Sequence, residues 1–317
     1  MVEMIRVSYG TAIAMGLIKA KALVKPTTAY MMTYWPGHCR NNCAFCAQAR
    51  GSRANLEKLS RITWPAFDLE EVIDALPAGK FARICLQTVD YPGMVDEVLE
   101  LLEYFRPLGL PISVSITPVD RGTLEELKSL GVDYIGVGLD AASERVYESV
   151  KDSLYSWSDM WEFTGNVVDV FGKGKALVHL IIGLGESDRE AVETMEKAYS
   201  MGADVSLFAF TPIKGTAMEN HKTPSLARYR RIQIARYLLE KGLSSLEDFQ
   251  FDSDGNLQGF GVSMDELKEI LPPSVFSTHG CPGCNRPYYN ERPREEPYNF
   301  PVVPERGYVE RILKALL

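Results

Sequence analysis

Three thiols and their spacing carry the first chemical suggestion. Cys39, Cys43 and Cys46 lie in the run His38-Cys39-Arg40-Asn41-Asn42-Cys43-Ala44-Phe45-Cys46, a C-x3-C-x2-C triplet. Cysteine thiolates are the ligands of iron–sulfur clusters. Three of them packed this closely can hold three corners of a cubane and leave the fourth iron open. An open iron can bind and activate a small molecule, whereas a fully ligated cluster mainly passes electrons. Zinc is the rival, but a structural zinc site usually takes four Cys or His ligands. His38 adjoins Cys39, where chain geometry makes chelation of one ion awkward. A disulfide is disfavoured by parity and by compartment.

Cys281 and Cys284 form a C-x2-C pair in Ser277-Thr-His279-Gly280-Cys281-Pro282-Gly283-Cys284-Asn285-Arg286. Pro and Gly between the thiols suit a tight metal-binding knuckle. A redox dithiol and a zinc site recruiting His279 are the alternatives. The sixth cysteine, Cys85, stands alone in an apolar run, and a free cysteine there is often just a small buried hydrophobe.

The elements that must position these thiols follow from periodicity. Strand-like runs are expected at Thr28–Tyr34, Ala82–Val89, Ile112–Thr117, Tyr134–Leu139, Ala176–Ile182 and Asp204–Phe210. Helical patterns alternate with them, at about 67–76, 93–105, 121–130, 143–151, 158–172, 187–201 and 224–242. Near-continuous apolar strands alternating with helices imply a parallel sheet buried on both faces. Six strands are too few for a complete eight-stranded barrel, so an α/β fold with a partial (βα)6 TIM-type barrel is expected. Sites in such folds lie at the C-terminal strand ends, where the triplet falls. Residues 8–24 read as a leading helix, so residues 1–27 form an N-terminal helical segment before a core at 28–242. From 243 to 317 the character changes. A strand–turn–strand is expected over 249–260, a helix at Met264–Ile270 and another at Val309–Leu317. The aperiodic, aromatic-rich stretch 272–304 between them reads as a cap over the barrel mouth.

The bulk numbers set outer limits. The 317 residues are 46% hydrophobic and 24% charged, as in an ordinary soluble globular protein. A net charge of −8 argues against a broad nucleic-acid footprint. No apolar run reaches a membrane span, and Glu3 within Met1–Arg6 makes a poor signal peptide. Clustered cysteines point to a reducing cytoplasm.

The triplet, with an aromatic residue before its third cysteine, resembles the signature of the radical S-adenosylmethionine (SAM) superfamily. The resemblance implies a 4Fe–4S cluster whose open iron binds SAM, and a low-potential reductant such as ferredoxin or flavodoxin. It implies SAM contacts from Phe45 and from the fifth-strand turn Gly183-Leu184-Gly185-Glu186. Asp140, ending the fourth strand, can accept ribose hydroxyls; capping the next helix is the plain alternative. Many members bind the SAM amino group with a glycine-rich segment after the second strand; this chain has none there, and Gln87 and Thr88 would supply side-chain acceptors instead.

Arg83-Ile84-Cys85-Leu86 and the phrase Lys214-Gly215-Thr216 resemble biotin synthases, in which a cysteine at this strand ligates an auxiliary cluster. The resemblance implies that Cys85, Cys281 and Cys284 hold a second Fe–S cluster, with a Ser, His, Arg or external sulfur as fourth ligand. The other auxiliary ligands of biotin synthases, on the third and fifth strands and on a late strand, are not matched here; the third strand offers Ser113 and Ser115, and the fifth Val178 and His179. Gly138-Leu139-Asp140 replaces their Asn-Leu-Asp, and the tail resembles theirs much less, which counts against biotin as product. Within this group the chain is most similar to components of the archaeal two-protein lipoyl synthase. That implies sulfur transfer to a protein-bound octanoyl chain, with an octanoylated lipoyl-carrier protein or peptide and a second radical SAM protein as partners. Arg286, Arg292 and Arg294 are candidates to orient a carrier domain or substrate carbonyl, against the plainer reading of each as part of a solvated charged loop. Competing expectations are biotin synthase-like sulfur insertion into a free small molecule, a methylation, rearrangement or dehydrogenation without sulfur transfer, and a zinc-stabilised binding partner.

Overall fold

The computed structural model describes residues 1–291 and 294–316. Among these, the central sheet has eight strands: β1 (Met4–Val7), β2 (Thr28–Thr33), β3 (Ala66–Asp68), β4 (Arg83–Gln87), β5 (Ile112–Ser115), β6 (Val132–Asp140), β7 (Ala176–Ile182) and β8 (Asp204–Ala209). Their order is β8-β7-β6-β5-β4-β2-β1-β3. β2 and β4 to β8 pair in parallel, giving the six-stranded partial barrel expected from the sequence. β1 is antiparallel to both β2 and β3 and widens the sheet beyond that core.

Strand alternation divides the sheet into two faces. Ile84, Leu86, Val114, Ile135, Val137, Val178, Leu180 and Val205 are fully buried under the helices. The alternate positions, including Tyr30, Cys85, Gln87, Ser113, Ser115, His179 and Ser206, line the lumen. The two faces therefore differ in chemistry: aliphatic outside, polar and sulfur-bearing inside.

The helices are α1 (Tyr9–Met15), α2 (Leu69–Gly79), α3 (Met94–Phe105), α4 (Arg121–Ser129), α5 (Glu144–Val150), α6 (Trp157–Phe171), α7 (Asp188–Ser200), α8 (Leu226–Glu240), α9 (Met264–Ile270) and α10 (Arg306–Leu316). α3 shows how they are built. Val98, Leu101, Leu102 and Phe105 fall on one stripe and are fully buried. Truncating one, as in Leu101→Ala, costs about 2–5 kcal/mol. Ser156 with Asp159, and Ser187 with Glu190, close capping boxes that start α6 and α7.

The leading helix is much shorter than the expected 8–24. Gly16, at φ 88°, caps α1 in the left-handed conformation and ends it. Residues 19–27 have no helix or strand, and Met4–Val7, not foreseen as a strand, joins the sheet.

The extension is ordered against the barrel. Gln250–Phe251 pairs with Leu257–Gly259 in the expected hairpin region. Arg230 of α8 is fully buried, held by Tyr308 Oη at 2.9 Å and by the carbonyls of Pro297 and Tyr298. Residues 278–291 close the seam between β8 and β2. Tyr288–Glu291 reach the mouth, where Ser60 Oγ and the Arg61 guanidinium donate to their carbonyls and Asn290 Nδ2 donates to Ala209 O at 2.7 Å. The cysteine knuckle enters from the opposite end. Thr28 Oγ1 and Arg83 Nε, at the N-terminal ends of β2 and β4, donate to Gly283 O and Pro282 O, both at 3.2 Å.

Candidate active site

A cavity of about 620 Å³ occupies the lumen, and all six cysteines of the chain line it. At the mouth, the Cys39–Cys46 loop is tied down from three sides. Asp90, beyond β4, accepts from Arg40 Nε and Asn41 Nδ2, each at 2.9 Å. Asn42 and Cys43 pair with Asp152 and Lys151 as a short antiparallel ribbon. Ala44 O accepts from Met218 N at 3.1 Å. These anchors come from segments far apart in sequence, so the loop is fixed by the folded barrel.

The thiols suit a cluster chemically. Cys39 Sγ already accepts the Asn41 backbone N–H at 3.4 Å. Burial pushes the Cys43 thiol up to about 11, against the lowering effect of Lys151, and pushes Cys46 higher still. Such thiols deprotonate when a metal binds, releasing protons. Among the described residues, no three His, Cys, Asp or Glu side chains close on a point that would hold one metal ion.

Asp140 lies in the cavity wall at φ 64°, a strained conformation for a non-glycine residue. Lys151 Nζ reaches its carboxylate at 2.9 Å and also donates to Gly138 O. Phe45 and Thr88 line the same space. Gln87 does too, but its amide donates to Cys85 Sγ at 3.1 Å and to Ser115 Oγ at 3.2 Å, toward the floor.

The fifth-strand turn is built around Glu186. Leu177, His179 and Ile181 form the cavity wall on that strand, and the Gly183-Leu184-Gly185-Glu186 turn follows them. The Glu186 carboxylate folds back to accept Gly183 N at 2.8 Å and Leu184 N at 2.9 Å, and pairs with Arg228 at 2.9 Å. A Cβ at Gly183 would sit 2.9 Å from Pro224 Cδ, so this glycine admits the following loop. Its two oxygens being used internally, Glu186 holds the turn.

At the floor, Cys85 of β4 faces the knuckle. Cys284 N donates to Cys281 O at 2.9 Å, closing the turn over Pro282 and Gly283. Tyr30 fixes it: its hydroxyl accepts Arg286 N at 2.8 Å and Asn285 N at 3.1 Å, and lies 3.4 Å from Cys284 Sγ. Arg83, buried and paired with Asp133, also donates to Ser113 Oγ at 3.2 Å. Burial raises the Cys281 thiol to about 11 despite the Ser113 hydrogen bond. His279 does not join: its Nε2 sits 2.9 Å from both Asp204 oxygens, outside the cavity lining.

Ser113, Ser115 and His179 of the expected neighbourhood line the cavity, whereas Val178 points into the fully buried outer core. Burial and the nearby Arg286 lower His179 to about 4, so it is neutral at neutral pH. Arg286 turns inward, Cζ 4.0 Å above the Phe208 ring, and donates to Ser206 Oγ at 2.8 Å. Arg294 is exposed, and Arg292 lies outside the described residues. Lys151 and Tyr30 were not foreseen. Tyr30 shares the inward face of its strand with Thr28 and Met32, a signal available in the alternation. Lys151 has no such signal, because its place depends on pairing with Cys43.

A family model described as the radical SAM superfamily matches residues 34–198. A biotin synthase of Coxiella burnetii is 25% identical over 264 residues, 79% of this chain and 78% of that protein. A 3-methylornithine synthase of Methanosarcina acetivorans is 24% identical over 247 residues, 75% and 68% of the two chains. Among solved structures, a methylornithine synthase superposes with a TM-score of 0.52 at 16% identity, covering 67% of this chain and 62% of that one. The chain thus spans less than two thirds of that neighbour, and the likeness shows the fold. Among the described residues no helix is long and apolar enough to cross a membrane.

Proposed function

The chain belongs to the radical SAM superfamily, and from that premise we propose that it is a sulfur-inserting enzyme acting on a protein-bound octanoyl chain, as one component of a lipoyl synthase. The observation that carries the reading is the convergence of all six cysteines on one cavity, three at the mouth and three at the floor. A radical SAM enzyme uses a SAM-bound 4Fe–4S cluster to generate a radical that abstracts an unactivated hydrogen, and a second cluster can supply sulfide.

Cys39, Cys43 and Cys46 would hold the first cluster. Cys85, Cys281 and Cys284 would hold the second. Asp140, kept in place by Lys151, would take the ribose hydroxyls, and Phe45 and Thr88 would flank the bound SAM. Tyr30 and Arg83 hold the floor thiols in register with the barrel wall. The enclosing barrel keeps water from a reactive intermediate. The similarity to biotin synthases supports sulfur transfer as the class of reaction. An octanoylated carrier, a second radical SAM protein and a low-potential reductant are the partners this reading requires.

The similarity to a 3-methylornithine synthase favours a second reading, radical chemistry without sulfur transfer. Iron and acid-labile sulfide after anaerobic reconstitution separate the two. Two 4Fe–4S clusters give about eight irons per chain, falling to about four when Cys39, Cys43 and Cys46 are replaced by Ala. About four irons falling to none leaves no sulfur donor and favours the second reading. Sulfur-bearing product from an octanoylated carrier completes the test.

A further inference from the structure

The cavity does not end at the barrel wall. It continues sideways, past Tyr30, into an arm between α1 and a small hairpin in which Lys58–Leu59 pairs with Ile62–Thr63. Tyr9, Ile13, Leu23, Val24, Leu59 and Ile62 give this arm most of its lining, with Lys21 and Arg61 as its charged members. Tyr9 is 45% exposed and Leu23 72%, so its outer end is open to solvent. Leu23 lies in the stretch after Gly16 that carries no helix or strand.

We propose that this arm is the entry channel for the acyl chain of the substrate, which reaches the space between the two cysteine trios from the side. The inference rests on the acyl-substrate reading above and adds the route. The inner mouth is framed by the Cys39–Cys46 loop, Asp140 and Lys151, which are the groups suited to the polar cofactor. A second molecule needs another way in. The arm is lined mainly by aliphatic and aromatic side chains and is continuous with the lumen, and the Arg61 guanidinium is turned to the Tyr288 and Glu291 carbonyls, which suits an unbranched alkyl chain. Each methylene that an alkyl chain buries strengthens its binding about fourfold. A chain tethered to a carrier protein can thread such an arm while its carrier stays outside.

The test uses the reconstituted full chain and a fluorescent lysine peptide, either octanoylated or acetylated on the side chain. The octanoylated peptide should bind more tightly than the acetylated one. Leu23→Glu, at an exposed position, and Ile13→Trp, narrowing the arm, should each weaken octanoyl-peptide binding by about tenfold or more, the loss expected from about two methylenes left unburied. Iron content and thermal midpoint of each variant show whether it folds, and Leu23→Glu keeps the test open if Ile13→Trp does not. Wild-type binding of the octanoyl peptide by a folded Leu23→Glu variant overturns the channel while the acyl substrate stands. Equal binding of octanoyl and acetyl peptides by the wild type overturns both. Loss of self-association in Leu23→Glu with octanoyl binding intact would mark the patch as a contact between copies of this chain and overturn the channel.

Discussion

Lys151 Nζ stands 2.9 Å from the Asp140 carboxylate, and both side chains are largely removed from water, 7% and 19% exposed. The pair joins the end of β6 to the ribbon that carries Cys43. It therefore couples the strained backbone at Asp140 to the position of the Cys39–Cys46 loop. Removing one partner of a buried pair leaves the other charge uncompensated. Lys151→Met should lower stability by about 3 kcal/mol. Adding Asp140→Asn should restore much of that loss. Denaturant unfolding of the two single variants and the double variant measures it, and equal losses with and without the second change would dissolve the coupling.

Cys85→Ala tests the floor site. The variant should lose the second cluster, taking iron from about eight to about four per chain, and still cleave SAM. Unchanged iron content would make Cys85 a packing residue.

Tyr30→Phe removes one oxygen that accepts two backbone N–H groups and contacts Cys284. Leaving a buried donor unsatisfied costs about 1–3 kcal/mol. The knuckle should loosen, so that the floor site loses iron faster than the mouth site during chelator challenge. Iron release in two kinetic phases, with only one accelerated, is the expected trace.

His179 gives a pH signature. Its folded value lies at about 4, below the ordinary histidine value, because burial and Arg286 disfavour its charge. Between those two values the unfolded chain binds more protons at this site, so its contribution is complete above about 6.5 and falls as pH drops toward 4. His179→Gln should flatten the stability profile across that window. A profile identical to the wild type would show that His179 does not titrate there.

Much of this protein was legible in its sequence. The six parallel strands were marked by apolar runs between helical patterns, and their period of two already placed Cys85 with Gln87, and Ser113 with Ser115, on shared faces. The C-x3-C-x2-C spacing is local chemistry and needs no fold to be recognised. Helix ends were legible where caps are local, as at Ser156, Ser187 and Ser263. The leading helix was overread because alternating small and apolar residues continue past Gly16, while the left-handed cap depends on that single glycine.

Other features were decided only by the tertiary structure, because they depend on distances between remote segments. The Glu186 carboxylate is held in its own turn by Arg228, 42 residues away in sequence. Lys151 reads as an ordinary surface lysine until ribbon pairing carries it beside Cys43 and Asp140. His279 stood two residues from Cys281, yet Asp204 claims it. The knuckle's approach through the N-terminal strand ends follows from anchors at Thr28, Tyr30 and Arg83, none of which spacing could reveal. Local spacing fixes which groups can act as ligands; long-range packing fixes which of them meet.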